Sequence, residues 1–191
     1  MNKHYPHRET ARLLNRYRER YPEEKNRFDL LARQLAREED VGSRKNFTGH
    51  LTGSGIVLHE GNILLIFHKK LQRFLQPGGH FEGDDSLLLC AKREVEEETG
   101  LRVIPHPWHG ENGELPIYID THPIPENPKK EEPQHHHHDH TYLFLLEESQ
   151  TVSLQTEEVE DFQWLPIDHP FEDEHLRAIM ERIRSLGLHL S

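Results

Sequence analysis

A single cysteine, Cys90, is present in the 191-residue chain, so no intrachain disulfide can form. A reducing compartment, the cytoplasm, is the expected setting. No apolar run approaches the length of a membrane span, and the opening MNKHYPHRETARLL lacks an apolar core or a small-residue cleavage site. Neither a membrane segment nor a signal peptide is therefore expected. Positive charge is also scarce: 23 Lys and Arg stand against 34 Asp and Glu, a formal net charge of −11 with histidines neutral. That balance argues against nucleic-acid backbones or anionic membranes as partners. A small anionic substrate stays open, because a bound cation inverts the local field.

What the chain does have is enough apolar residues, 34%, to bury a core in one domain with an added helical piece. Residues 7–39 carry Ala11 and Leu14, then Phe28, Leu31 and Leu35, at helical spacing, with Pro22 placed to start a second helix. From residue 50 the period changes. LTGSGIVLHE and GNILLIF read as two strands around the turn Glu60–Gly61–Asn62, and LQRFLQPGG as a short strand ending at Pro77. A helix over 84–99 follows, capped by Asp84, Asp85 or Ser86 and ended by Gly100. LRVIPHPW, PIYIDTHPI, HHHHDHTYLFLLEE and DFQWLPI are strand-like, PIPENPKKEEPQ is a loop, and EDEHLRAIMERIRSLG closes the sequence as a helix. Strands interrupted by one central helix and followed by another predict an α/β or α+β sandwich.

The 84–99 helix holds Glu94, Glu96, Glu97 and Glu98 within five positions. Like charges this close destabilise an isolated helix, so a cation is expected to neutralise them. Glu94, Glu97 and Glu98 share one face at i,i+3 and i,i+4, while Glu96 points elsewhere. Arg93 can lean back toward Asp85 in a charge-assisted brace. Gly78 and Gly79 bring main-chain carbonyls near the same place. Carboxylates with a carbonyl are hard oxygen donors, which favour Mg²⁺ or Mn²⁺. Such ions commonly engage a diphosphate and activate water.

GGHFEGDDSLLLCAKREVEEETGL resembles the Nudix box, in which Gly, five residues, Glu and seven residues precede Arg-Glu-aliphatic-any-Glu-Glu-any-Gly-aliphatic. Gly79, Arg93, Glu94, Val95, Glu97, Glu98, Gly100 and Leu101 match, and Asp85 stands where the family has its first glutamate. The resemblance continues in order from residue 49 to 166, and the HKKLQRFLQPGGH stretch is similar to a bacterial branch of the family. It implies an α/β/α sandwich with a mixed β-sheet over 49–191, preceded by a helical extension over 1–48. It implies Mg²⁺ or Mn²⁺ held by Glu94, Glu97, Glu98 and the Gly79 carbonyl, with Arg93 catalytic beside them and Asp85 as its structural brace. The implied activity is metal-dependent hydrolysis of a nucleoside diphosphate linked to another group. A non-catalytic sensor on the same fold, binding a nucleotide or diphosphate, is the alternative.

The segment HHHHDH, 135–140, alternates in a strand, with His135, His137 and Asp139 on one face. That face either meets substrate or takes a second metal through imidazole nitrogen, or the tract is a solvated strand edge. A metal-handling protein built on this tract is a third reading. Gln76 and His80 flank the glycine pair and are substrate-binding candidates with Arg73, which lies with His68, Lys69 and Lys70 in either a basic rim or an ordinary turn. Phe74, Tyr142, Phe144 and Trp164 either pack in the core, the commoner role for aromatics on strands, or stack a base, and Cys90 is expected as a small buried apolar residue. Glu111, Glu114, Glu157 and Glu158 fall in loops or strand ends, where the resemblance implies an extra base, and solvated loop carboxylates are the expected role of most of them. The N-terminal helices could cover the sheet, mediate a homodimer or form a lid.

Overall fold

The computed structural model describes residues 5–128, 131–155 and 159–188, so Glu157 and Glu158 lie outside the described residues. The N-terminal piece is helix α1 (Tyr5–Arg20), a 3-10 helix (Pro22–Phe28) and α2 (Asp29–Ala36). The break falls where Pro22 predicts it, with Pro22 in the first turn of the 3-10 helix. Leu13, Leu14, Tyr17, Phe28, Leu31 and Leu35 are buried in one continuous core with Leu64, Tyr142 and Ile179. One face of these helices is therefore a cover on the sheet. Glu24 fastens it: its carboxylate accepts from the Tyr17 hydroxyl at 2.8 Å and pairs with Arg182 of the last helix. The Arg182 guanidinium also lies 3.4 Å from the centroid of the Tyr21 ring.

Eight strands build one mixed sheet among the described residues. They are β1 (His50–His59), β2 (Asn62–His68), β3 (Arg73–Leu75), β4 (Gly78–His80), β5 (Val103–Pro105), β6 (Tyr118–Ile124), β7 (His135–Leu146) and β8 (Val159–Pro166). β1 and β7 are the long central pair and run parallel, from His50 beside His137 to Leu58 beside Leu145. The free edge of β1 takes β4 along its first half and β2 at its end. β7 is divided in the same way, β6 pairing with its first half and β5 with its last residues. Helices α3 (Leu87–Thr99), α4 (Pro107–Glu111) and α5 (Glu174–Ser185) accompany the sheet. This is the mixed α/β architecture expected from the sequence.

Helix α3 lies on β1 through Leu87, Leu88, Ala91 and Val95, all buried. Gly53 of β1 makes this approach possible: a Cβ there would stand 2.9 Å from the Ala91 amide nitrogen. The strand expected over LRVIPHPW is cut short at Pro105. His106 accepts the Trp108 amide at 3.2 Å and Pro107 takes the first turn, so a capped helix replaces the strand.

Candidate active site

Ser86 caps α3, its hydroxyl accepting the Leu89 amide at 3.2 Å. That leaves Asp84 free to face Arg93, and it does so as a two-point fork. Nε donates to Oδ1 at 2.9 Å and Nη2 to Oδ2 at 3.0 Å. Asp85, the expected brace, is exposed. The brace is Asp84, because the loop turns through Gly83 at φ 89 and brings the earlier carboxylate inward. Burial alone would push the Asp84 carboxyl up, but Arg93 and the Glu82 amide outweigh it and hold the carboxyl below its usual range. The same hydrogen bonds, with those to Glu94, raise the Arg93 guanidinium further.

Arg93 also ties the loop to the glutamates. Nη2 donates to the His80 carbonyl at 2.9 Å, and Nη1 to Glu94 at 2.7 Å and Glu97 at 3.2 Å. Glu94 and Glu97 therefore converge on one cationic nitrogen. Glu98 accepts the Gly78 amide at 2.9 Å, bringing β4 against the helix. Glu96 faces away and pairs with Lys92 at 3.5 Å. Burial raises the Glu94 carboxyl, with Arg93 pulling the other way.

The donor types here are those a hard divalent cation takes, and Arg93 draws Glu94 and Glu97 together. A Cβ at Gly79 would lie 2.5 Å from the Glu94 carboxyl carbon, so only glycine lets β4 come this close to the carboxylate. The donors on offer are carboxylate and main-chain oxygens, the chemistry that suits Mg²⁺ or Mn²⁺. Cys90, beneath them, is buried, and burial holds its thiol far above the ordinary range.

The histidine tract is no strand edge. β7 has β1 on one side and β6 on the other, so His138 and His140 are fully buried. His138 links layers, with Nε2 2.7 Å from Gln34 of α2 and Nδ1 2.9 Å from Thr121 of β6. On the opposite face Asp139 accepts the hydroxyls of Thr52 at 2.8 Å and Ser54 at 2.5 Å. His137 and His135 stand with His50 and His80. Ring centroids are 4.9 Å apart for His50–His135 and His50–His137, and 5.0 Å for His80–His137. Burial and the neighbouring imidazoles push His137 down to about 2, and burial, Arg44 and His50 push His80 down to about 4, so both rings are neutral at about pH 7.

Beyond His137 lie His122, Asp120 and His175, which residue types alone do not single out. His122 hydrogen-bonds Asp120 at 3.0 Å, and His175 approaches the same carboxylate at 3.6 Å. Gln76 reaches His175 at 3.1 Å, while Arg73 pairs with Asp173 at 3.3 Å. Gln76, His80, His135, His137 and Asp139 thus gather on one side of the sheet, and the Arg73–Asp173 pair borders them, close enough for Arg73 to act on His122 and Asp173 on His175. His68 and Lys69 order a tight turn, their ring and carbonyl accepting from Leu71 and Gln72. Glu111 and Glu114 flank a turn whose Gly113 carbonyl accepts from Arg12 and Arg16 of α1. Phe74, Tyr142, Phe144 and Trp164 pack in or against the core.

Comparison with known proteins gives the same picture. A family model described as NUDIX domain matches residues 49–184. A Lactococcus lactis subsp. cremoris protein named "Probable DHNTP pyrophosphohydrolase" is 35% identical over 100 residues, 52% of this chain and 56% of that protein. The chain thus spans little more than half the length of this curated relative. A MutT protein structure from Methanosarcina mazei Go1 superposes with a TM-score of 0.54 at 19% identity, covering 74% of this chain and 97% of that one. A Nudix-family hydrolase structure from Clostridium perfringens gives 0.53 at 24% identity, covering 72% and 97%. No helix among the described residues is long and apolar enough to cross a membrane. With the box spacing, the glutamate helix against a glycine strand and a domain match over most of its length, the chain belongs to the Nudix family.

Proposed function

We propose that the chain is a metal-dependent pyrophosphohydrolase that cleaves the diphosphate of a small nucleotide-like substrate. The observation that carries this is the Arg93 fork, which joins Asp84, Glu94 and Glu97 in one network beside Gly79. Glu94, Glu97, Glu98 and the Gly79 carbonyl are the oxygens that would hold Mg²⁺ or Mn²⁺. An ion bound there supplies charge neutralisation for phosphoryl oxygens and acidifies a water. The chain's own part is placement. Asp84 and the His80 carbonyl fix the Arg93 guanidinium, Arg93 fixes the Glu94 and Glu97 carboxylates, and the Gly78 amide fixes Glu98. The buried, unbridged Cys90 supports a reducing, cytoplasmic setting.

The name of the Lactococcus lactis relative puts DHNTP first among substrates to try. The remaining panel is ADP-ribose, a nucleotide sugar, an oxidised nucleoside triphosphate and a dinucleoside polyphosphate, since fold and box do not set specificity. Release of a phosphorylated product that requires Mg²⁺ or Mn²⁺ is the expected result. Tight binding across the panel without product would replace the hydrolase with a ligand sensor.

A further inference from the structure

We propose that His50, His135 and His137 form a second metal site, built for a borderline divalent cation of the Zn²⁺ class and separate from the glutamate site. The parallel register sets His50, the first residue of β1, beside His137 of β7, and His135 lies two residues earlier on the same face. One nitrogen from each of the three rings lies within 4.8 Å of one from each of the others. No carboxylate belongs to the group, so the donors are imidazole nitrogens, which suit Zn²⁺ and its neighbours and not Mg²⁺.

Two of the rings are oriented as ligands would be. His50 Nδ1 lies 3.2 Å from the Asn46 carbonyl and His135 Nδ1 lies 2.8 Å from the Pro133 carbonyl. A carbonyl oxygen only accepts, so both Nδ1 atoms carry the hydrogen and both Nε2 atoms present a lone pair. Backbone anchoring of the remote ring nitrogen is the usual support for a metal-bound histidine. His50 and His135 are 2% and 4% exposed, so ordering the site costs little side-chain freedom. Yet the Nε2 atoms of His50 and His137 are buried with no hydrogen-bond partner. A buried ring nitrogen without a partner is a standing cost, and a cation shared by the rings removes it. Three protein ligands leave a fourth position open. The His80 ring lies 5.2 Å from His50 and 5.0 Å from His137, centroid to centroid, and so borders that position from β4.

The test uses the full chain without an affinity tag, stripped of metal and held in excess Mg²⁺ to occupy the carboxylates. Zn²⁺ is titrated calorimetrically, and Co²⁺ is added separately to read coordination from its visible spectrum. Binding of one Zn²⁺ is expected, with four-coordinate Co²⁺ bands. His135→Gln and His137→Gln each remove a ligand and are expected to lose more than the about 10- to 100-fold in Zn²⁺ affinity that loss of an outer support costs. His136→Gln, in the same tract but on the opposite face, keeps wild-type affinity. Far-UV circular dichroism confirms that the variants are folded, and His50→Gln is added as a third ligand variant. Absence of Zn²⁺ binding by the wild type would overturn the site. So would an equal loss in His136→Gln, which would show only adventitious affinity of a histidine-rich run.

Discussion

Arg93 grips Asp84 by two parallel hydrogen bonds, Nε to Oδ1 at 2.9 Å and Nη2 to Oδ2 at 3.0 Å. The carboxylate at the motif position, Asp85, stands exposed one residue later. The two neighbours therefore differ sharply in consequence. Asp84→Asn is expected to lower kcat by about 10- to 100-fold, as loss of an outer support does. Asp85→Asn should stay within about twofold of wild type. Steady-state kinetics of the pair on the first substrate found checks this, and equal effects would remove the brace from Asp84.

Glu97 and Glu98 separate chemistry from folding. Glu97 is 59% exposed at its side chain, and Glu98 accepts one amide hydrogen that a glutamine oxygen could also accept. Glu97→Gln and Glu98→Gln are thus expected to cost less than about 1 kcal/mol of stability while abolishing turnover. Urea unfolding alongside activity measures both. Wild-type-like rates in both variants would take these residues out of the mechanism.

The glutamate helix was legible because three carboxylates one turn apart need a counter-charge, and the box fixes their spacing. The choice between Asp84 and Asp85 was not legible. It depends on the turn at Gly83, a backbone conformation that residue types do not reveal. His50 is not legible in the sequence for another reason. Its neighbours His135 and His137 are more than 80 positions away and meet it only through parallel pairing of β1 with β7. The histidine tract reads as polar in sequence, yet its outer partners β1 and β6 bury it. His138 is held by Gln34 of α2 and Thr121 of β6, partners that no local pattern could supply.

Acid should destabilise the fold through histidines buried in neutral form. His109 is the cleanest of them, with Nδ1 2.8 Å from the Leu115 carbonyl and Nε2 accepting the Leu143 amide at 2.9 Å. Burial pushes it from 6.5 down to about 4. Below pH 6.5 the unfolded chain takes up a proton that the folded chain refuses until about pH 4. Its contribution is complete above 6.5 and is lost as pH falls through that window, by up to about 3 kcal/mol. His109→Asn should be less stable at pH 7.5 but fall less steeply between pH 7 and about pH 4.5. Urea midpoints across that range check the slope, and parallel curves would refute it.

Glu24 holds the N-terminal helices to the last helix. The side chains of Glu24 and Arg182 are 11% and 10% exposed, so removing one leaves a charge stranded. Glu24→Ala is expected to cost about 3–5 kcal/mol in chemical denaturation. Glu24→Gln, which still accepts from the Tyr17 hydroxyl, should cost less. A loss below about 1 kcal/mol for the alanine would mean the pair is exposed to water in solution.

Strand β1 behaves as a ruler with both sites marked on it. Nine consecutive residues are locked in register with β7, while Thr52, Gly53 and Ser54 are locked to His80, Gly79 and Gly78 on the other edge. The spacing between the imidazole trio and the glycine that faces Glu94 is therefore set by hydrogen bonds on two sides. Sliding β1 by one residue would turn every side chain to the wrong face, so neither centre can be repositioned along the strand without dismantling the other.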